Sequence, residues 1–147
     1  MFNRFFLFTF SVLFLFAGCK KDEIEFPVEP SIEFISISPE SATQYTVPVT
    51  ITIKYEDGDG DLGENDDNVK NCFVRDNRIG ITYQYRIQQL APTGSSIPIT
   101  GNLDIEIGGQ ILTDSSSQQS VTYTLYVVDR AGHKSNEVTT GAILIRK

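Results

Sequence analysis

Between Val47 and Tyr55 the odd positions are Val47, Val49, Ile51, Ile53 and Tyr55, while Thr50, Thr52 and Lys54 fall between them. A repeat of two is the signature of a strand with one dry face and one wet face, because successive side chains leave opposite sides of an extended backbone. The same period governs the rest of the chain. Ile32 and Phe34, followed by Ile35 and Ile37, predict an earlier strand that changes face. Cys72, Phe73 and Val74 lead into the turn-like Arg75-Asp76-Asn77-Arg78, after which Ile79, Ile81, Tyr83, Tyr85 and Ile87 alternate with polar residues. Pro92 and Gly94 break that pattern. Leu103, Ile105 and Ile107 form another run, and Val121 to Val127 and Ala142 to Ile145 flank the loop Asp129 to Glu137.

No segment keeps a 3.6-residue period over a useful length, and β-branched and aromatic residues fill the periodic runs. The chain is therefore expected to be all-β. About seven short strands separated by turn signals predict an immunoglobulin-like antiparallel β-sandwich over residues 31–147, with a small closed β-barrel as the competing topology. That length holds one domain. The two cysteines are Cys19 and Cys72, and there is no tryptophan, so the disulfide and Trp of antibody domains are missing.

The first eighteen residues carry one early charge, Arg4, and then an uncharged apolar run. This is short for a membrane span and has the shape of a secretory signal peptide. Ala17 and Gly18 before Cys19 resemble the lipobox of bacterial lipoproteins, with Phe16 standing where an aliphatic residue is usual. The resemblance implies cleavage after residue 18 and lipidation of Cys19. It also implies a membrane contact made by the acyl chains, more than one being needed for durable anchoring. Lys21, Asp22 and Glu23 then resemble the surface-export signal of Bacteroidota lipoproteins, which implies an outer-membrane lipoprotein facing outward from the cell. Residues 19–30, with Pro27 and Pro30, read as a tether. With Cys19 lipidated, Cys72 has no intradomain partner. The net charge of −7, more acidic still once Arg4 is removed, argues against nucleic acid, which needs clustered Lys and Arg.

Seven carboxylates lie within Tyr55–Asn68, directly after the clearest strand. Asp57, Asp59 and Asp61 alternate with Gly58 and Gly60, so an extended backbone would turn three carboxylates to one side while the glycines allow tight curvature. Ca²⁺ takes hard oxygen ligands in flexible geometry, which such a segment supplies. The spacing departs from an EF-hand loop: Leu62 stands where that loop wants glycine, and Asn68 where it wants a bidentate glutamate. In an immunoglobulin-like sandwich the loop after the second strand and the loop between the last two emerge at one end, which would bring Asp129 near Asp57, Asp59 and Asp61. The candidate metal set is thus Asp57, Asp59, Asp61 and Asp129, with a structural Ca²⁺. The competing account is a solvated acidic loop in which Asp129 serves only turn hydrogen bonds.

The pairing of Asp57–Gly63 with the closing stretch Tyr126–Thr140 is similar to small Bacteroidota lipoproteins that carry a single Ig-like domain, and the closing stretch resembles bacterial Ig-like and fibronectin-III-like modules. The resemblance implies fold and location. The expected function is a lipid-anchored, surface-exposed, non-enzymatic binding or accessory domain acting through an outer-membrane or surface protein. The alternative is a small carbohydrate- or ligand-binding module displayed on the cell. His133 and Ser135 near Asp129 invite a catalytic triad, but nothing around them reads as a nucleophile elbow or an oxyanion hole. Cys72 is expected to be a small core residue, and Tyr83 and Tyr85 to pack inward rather than stack on a sugar.

Overall fold

The computed structural model describes residues 27–147, and these contain strands and turns but no helix. Ten strands run in chain order: β1 (Ser31–Ser38), β2 (Ser41–Thr43), β3 (Val49–Asp57), β4 (Cys72–Asp76), β5 (Thr82–Tyr85), β6 (Ile99–Ile107), β7 (Gln118–Val121), β8 (Tyr123–Val127), β9 (Val138–Thr139) and β10 (Ile143–Arg146). One sheet has the order β1-β3-β6, a second β5-β4-β8-β9, and a third β2-β10-β7. The third sheet continues the second. Only Thr122 separates β7 from β8, and across the break between β9 and β10 the Thr140 N–H donates to the Tyr123 carbonyl while the Tyr123 N–H donates to Thr140 Oγ1. β2 pairs in parallel with β10, whereas β1 pairs antiparallel with β3, so the first strand crosses from one layer to the other. Merging these interrupted strands leaves seven in two layers, an immunoglobulin-like sandwich with no closed barrel among the described residues.

β3 is the central strand of its sheet. Its burial alternates without a fault, with Val49, Ile51, Ile53, Tyr55 and Asp57 inward, between β1 on one side and β6 on the other. Against it lie Val74, Leu125 and Val127 of the facing layer, all fully buried. Each completely buried Ile or Leu here contributes roughly 1.5–3 kcal/mol. Cys72 is one of these core residues, as expected.

Two details differ from the periodicity. The first strand does not change face. A β-bulge between Phe34 and Ser36 extrudes Ile35, 48% exposed, and returns Ile37 to the side of Ile32 and Phe34. One extra residue in an antiparallel pair is absorbed this way without losing register on either side. The run from Ile79 to Ile87 also forms less strand than its alternation suggests. Only Thr82–Tyr85 is paired, and Ile79 and Ile81 sit exposed in the β4–β5 turn, where the Asp76 N–H donates to the Ile81 carbonyl. Tyr83, Tyr85 and Ile87 do pack on the core.

The expected signal peptide of residues 1–18, the lipidation site Cys19 and the export signal Lys21, Asp22 and Glu23 lie outside the described residues.

Candidate metal centre

The parity of β3 places Asp57. Because side chains alternate, the position two beyond Tyr55 must point into the sandwich, and Asp57 is indeed fully buried. Its Oδ2 accepts the Leu62 N–H at 2.7 Å, so the chain curls back over the end of the strand and drops Leu62, itself fully buried, into the core. Two glycines permit this curl. Gly60 and Gly63 have φ of 74° and 92°, and a Cβ there would lie 2.3 Å from the Ile97 carbonyl oxygen and 2.4 Å from that of Gln88. Only glycine fits a left-handed backbone pressed this closely against another chain segment. Gly58 has no positive φ, so the curvature expected of Gly58 and Gly60 belongs to Gly60 and Gly63.

The loop between β8 and β9 closes the other side, as the sandwich topology predicts. The Arg130 and Ala131 N–H groups donate to the Asp61 carbonyl and to Asp61 Oδ2 at 3.3 and 3.0 Å, and Arg130 Nη1 donates to the Gly63 carbonyl at 2.8 Å. Asp129 arrives beside the cluster with its own oxygens engaged. Its Oδ1 accepts the His133 N–H at 2.7 Å, and its Oδ2 lies 2.9 Å from His133 Nδ1. Asp57, Asp59 and Asp61 offer carboxylate oxygens that all lie within 4.8 Å of one another; Asp129 stands next to that trio rather than within it.

The Oδ1 atoms of Asp57, Asp59 and Asp61 are buried and have no hydrogen-bond partner. An ionised oxygen out of water with no donor is costly. Burial raises the Asp57 carboxyl above its ordinary value; the Leu62 N–H partly opposes this, and the charges of Asp59 and Asp61 add to it. Burial likewise raises Asp61, helped by Asp129 and Asp59 and opposed by the Ala131 N–H and Arg130. His133 is raised by its hydrogen bond and charge contact with Asp129. Three hard oxygens that close together can be bridged by one ion at Ca–O distances of about 2.3–2.6 Å, whereas the roughly 2.0–2.1 Å octahedron of Mg²⁺ demands a tighter set. The donor set is all oxygen, which does not suit Zn²⁺.

Elsewhere, Asp129 and His133 form the acid–base pair of a would-be triad, but Ser135 Oγ donates to the Asn136 carbonyl at 2.8 Å and accepts the Val127 N–H at 3.0 Å. Its hydroxyl proton is therefore directed to the backbone. Burial pushes the Cys72 thiol up to about 12, far from a reactive thiolate. On the outer face of β4 and β8, Phe73 and Tyr126 stack with ring centroids 4.9 Å apart, and Lys134 Nζ caps the Tyr126 ring at 3.9 Å. The Tyr126 ring is thus occupied by Phe73 and Lys134, which makes it a poor platform for stacking a sugar.

Two groups escaped the sequence reading. The side chain of buried Asn71 donates to the Ile87 carbonyl at 3.1 Å and accepts the Ile87 N–H at 2.6 Å, imitating a strand residue beyond the end of β5. Asp76, 1% exposed, is paired to Arg78 at 2.7 Å. Parity from Cys72 and Val74 puts Asp76 inward, and Arg78 two residues on is the matching signal. No protein family, curated protein or solved structure matches this chain.

Proposed function

We propose that this chain is a lipid-anchored, outward-facing, non-enzymatic domain of the outer membrane that acts by binding a surface or outer-membrane protein. A structural Ca²⁺ held by Asp57, Asp59 and Asp61, with Asp129 alongside, stiffens its anchored end. One observation carries the reading: the tether enters at the acidic pole. The Gly58 N–H donates to the Pro27 carbonyl at 2.9 Å, and Asn136 of the β8–β9 loop brackets Ile32 with two hydrogen bonds of 2.9 Å to its N–H and carbonyl. A cation at the three aspartates would therefore tie together the acidic loop, the β8–β9 loop and the start of the domain, fixing how the body stands on its tether. The direction of the Ser135 hydroxyl supports a binding role over hydrolysis. The occupied Tyr126 ring favours a protein partner over a glycan.

The test is made in cells. A fatty-acid analogue should label the wild-type chain and not Cys19→Ala, and protease added to whole cells should digest the wild type but spare a variant with Lys21, Asp22 and Glu23 changed to alanine. Equal labelling of Cys19→Ala, or equal protection of both chains from protease, would overturn the anchored, outward-facing reading. A glycan array that binds the chain strongly would transfer the proposal to the carbohydrate-binding alternative.

A further inference from the structure

The sandwich is open along one side. A cleft of about 580 Å³ runs between Tyr85–Gln88 on one wall and Leu103–Glu106 on the other, with Cys72 and Leu90 also in its lining. Four consecutive residues line each wall. A groove over a sheet face would be lined by every second residue, since alternate side chains point away. Consecutive lining therefore means that the walls are strand edges. That agrees with the topology, in which β6 ends the sheet β1-β3-β6, and the segment lining the other wall continues β5, which ends the sheet β5-β4-β8-β9. At roughly 3.3 Å per residue, four residues make a slot about 13 Å long, the footprint of a short strand.

Along β6 the side chains alternate in character as well. Leu103 and Ile105 turn inward, half-buried and buried respectively, whereas Asp104 and Glu106 are exposed on the other face. Asp104 accepts the Thr52 hydroxyl at 2.7 Å, and neither carboxylate is paired to a cation among the described residues. The one basic residue of the opposite wall, Arg86, is already engaged by Asp67, 2.6 Å, and donates to the Glu64 carbonyl, 3.0 Å.

We infer that the free edge of β6 accepts an added strand from a partner protein, an extended segment alternating apolar residues, which extend the inward face beside half-buried Leu103, with basic residues, which meet Asp104 and Glu106. Main-chain hydrogen bonds to an exposed edge supply affinity in such strand addition, and the alternate side chains supply specificity. Directly opposed unlike charges on neighbouring strands attract and like charges repel. The same rule disfavours a second copy of this chain, because β6 against β6 would bring acidic residues onto acidic residues. The inference rests on the domain being a partner-binding module, and it names the partner's chemistry.

The experiment uses the purified full chain and three eight-residue probes: alternating lysine and valine, alternating glutamate and valine, and the lysine form N-methylated on every second residue to block one hydrogen-bonding edge. Calorimetric titration should show the lysine peptide binding at least tenfold tighter than either of the others. Amide exchange should slow over Leu103–Glu106. The Asp104→Lys/Glu106→Lys variant should reverse the charge preference. The near-isosteric Asp104→Asn/Glu106→Gln variant, which leaves the strand undisturbed, should abolish it. Lysine-peptide binding that both variants leave unchanged would mean bulk attraction to an acidic chain and would overturn the inference, as would unchanged exchange at Leu103–Glu106 or self-association that protects those amides. Cross-linking in cells separates the two readings. A partner captured equally by wild type and by the charge-neutral variant removes the strand-addition site and leaves the binding role standing, whereas capture of no partner removes the binding role itself.

Discussion

Replacing Asp57 by asparagine keeps the shape of the side chain and an oxygen for the Leu62 N–H, while deleting one of three carboxylates whose oxygens lie within 4.8 Å of each other. Two unit charges at that separation repel by about 0.9 kcal/mol in water and by about 3.5 kcal/mol at an effective dielectric of 20. Without a divalent cation, Asp57→Asn should therefore melt higher than wild type, by an amount on the order of 1 kcal/mol per relieved neighbour. With Ca²⁺ the ranking should invert. At ten times a dissociation constant of about 10⁻⁴–10⁻³ M, usual for extracellular Ca²⁺ modules, binding stabilises the wild type by about 1.4 kcal/mol. Taking about 2.1 cal/mol/K per residue over roughly 120 residues, this raises Tm by about 6 °C. Asp57→Asn should lose most of that rise. The pH dependence has a definite sign. Asp57 and Asp61 have folded-state values raised above the ordinary 3.8, so the metal-free fold binds more protons than the unfolded chain just above that value, and its stability rises as pH falls toward 3.8. The Ca²⁺ increment falls over the same window, because the ligands must be ionised. Circular-dichroism melts in chelator and in several millimolar Ca²⁺, at pH 4.5 and 7.5, give all these comparisons. Asp129→Ala, which removes the acceptor of two His133 hydrogen bonds, should lower Tm with and without Ca²⁺. A wild-type Tm indifferent to both Ca²⁺ and chelator, or an Asp57→Asn chain less stable than wild type in chelator, would refute the cation assignment.

Arg78→Met should leave Asp76 charged, 1% exposed and without its guanidinium, at a loss of about 3–5 kcal/mol in urea unfolding; a loss under about 1 kcal/mol would show that Asp76 does not depend on that pair. The Cys72 thiol, fully buried and pushed up to about 12, should resist iodoacetamide at pH 8 in the native chain and react at once in denaturant, and rapid native labelling would contradict its place in the core.

Much of this architecture was legible because period-two alternation is a property of neighbouring residues. Val49, Ile51, Ile53 and Tyr55 announce β3, and carrying their parity one step further puts Asp57 inside. Sandwich topology then predicts that the Asp129 loop meets the acidic loop, and it does, through Arg130 and Ala131. What alternation does not record is where an element stops or how it absorbs an extra residue. Ile79 and Ile81 continue the pattern yet lie in a turn, and the bulge at Phe34–Ser36 exists because β3 holds the register on both sides of it.

From the sequence alone come the all-β class, the alternating strands and the position of the aspartates. Only the tertiary structure decided that three of their oxygens lie buried without partners, that Asp129 is occupied by His133, and that β5 and β6 leave a slot between their edges. The reason is physical. Alternation is local, whereas desolvation and charge repulsion depend on groups brought together from far along the chain, as Asp61 and Ala131 are, and those distances exist only once the two sheets have closed on one another.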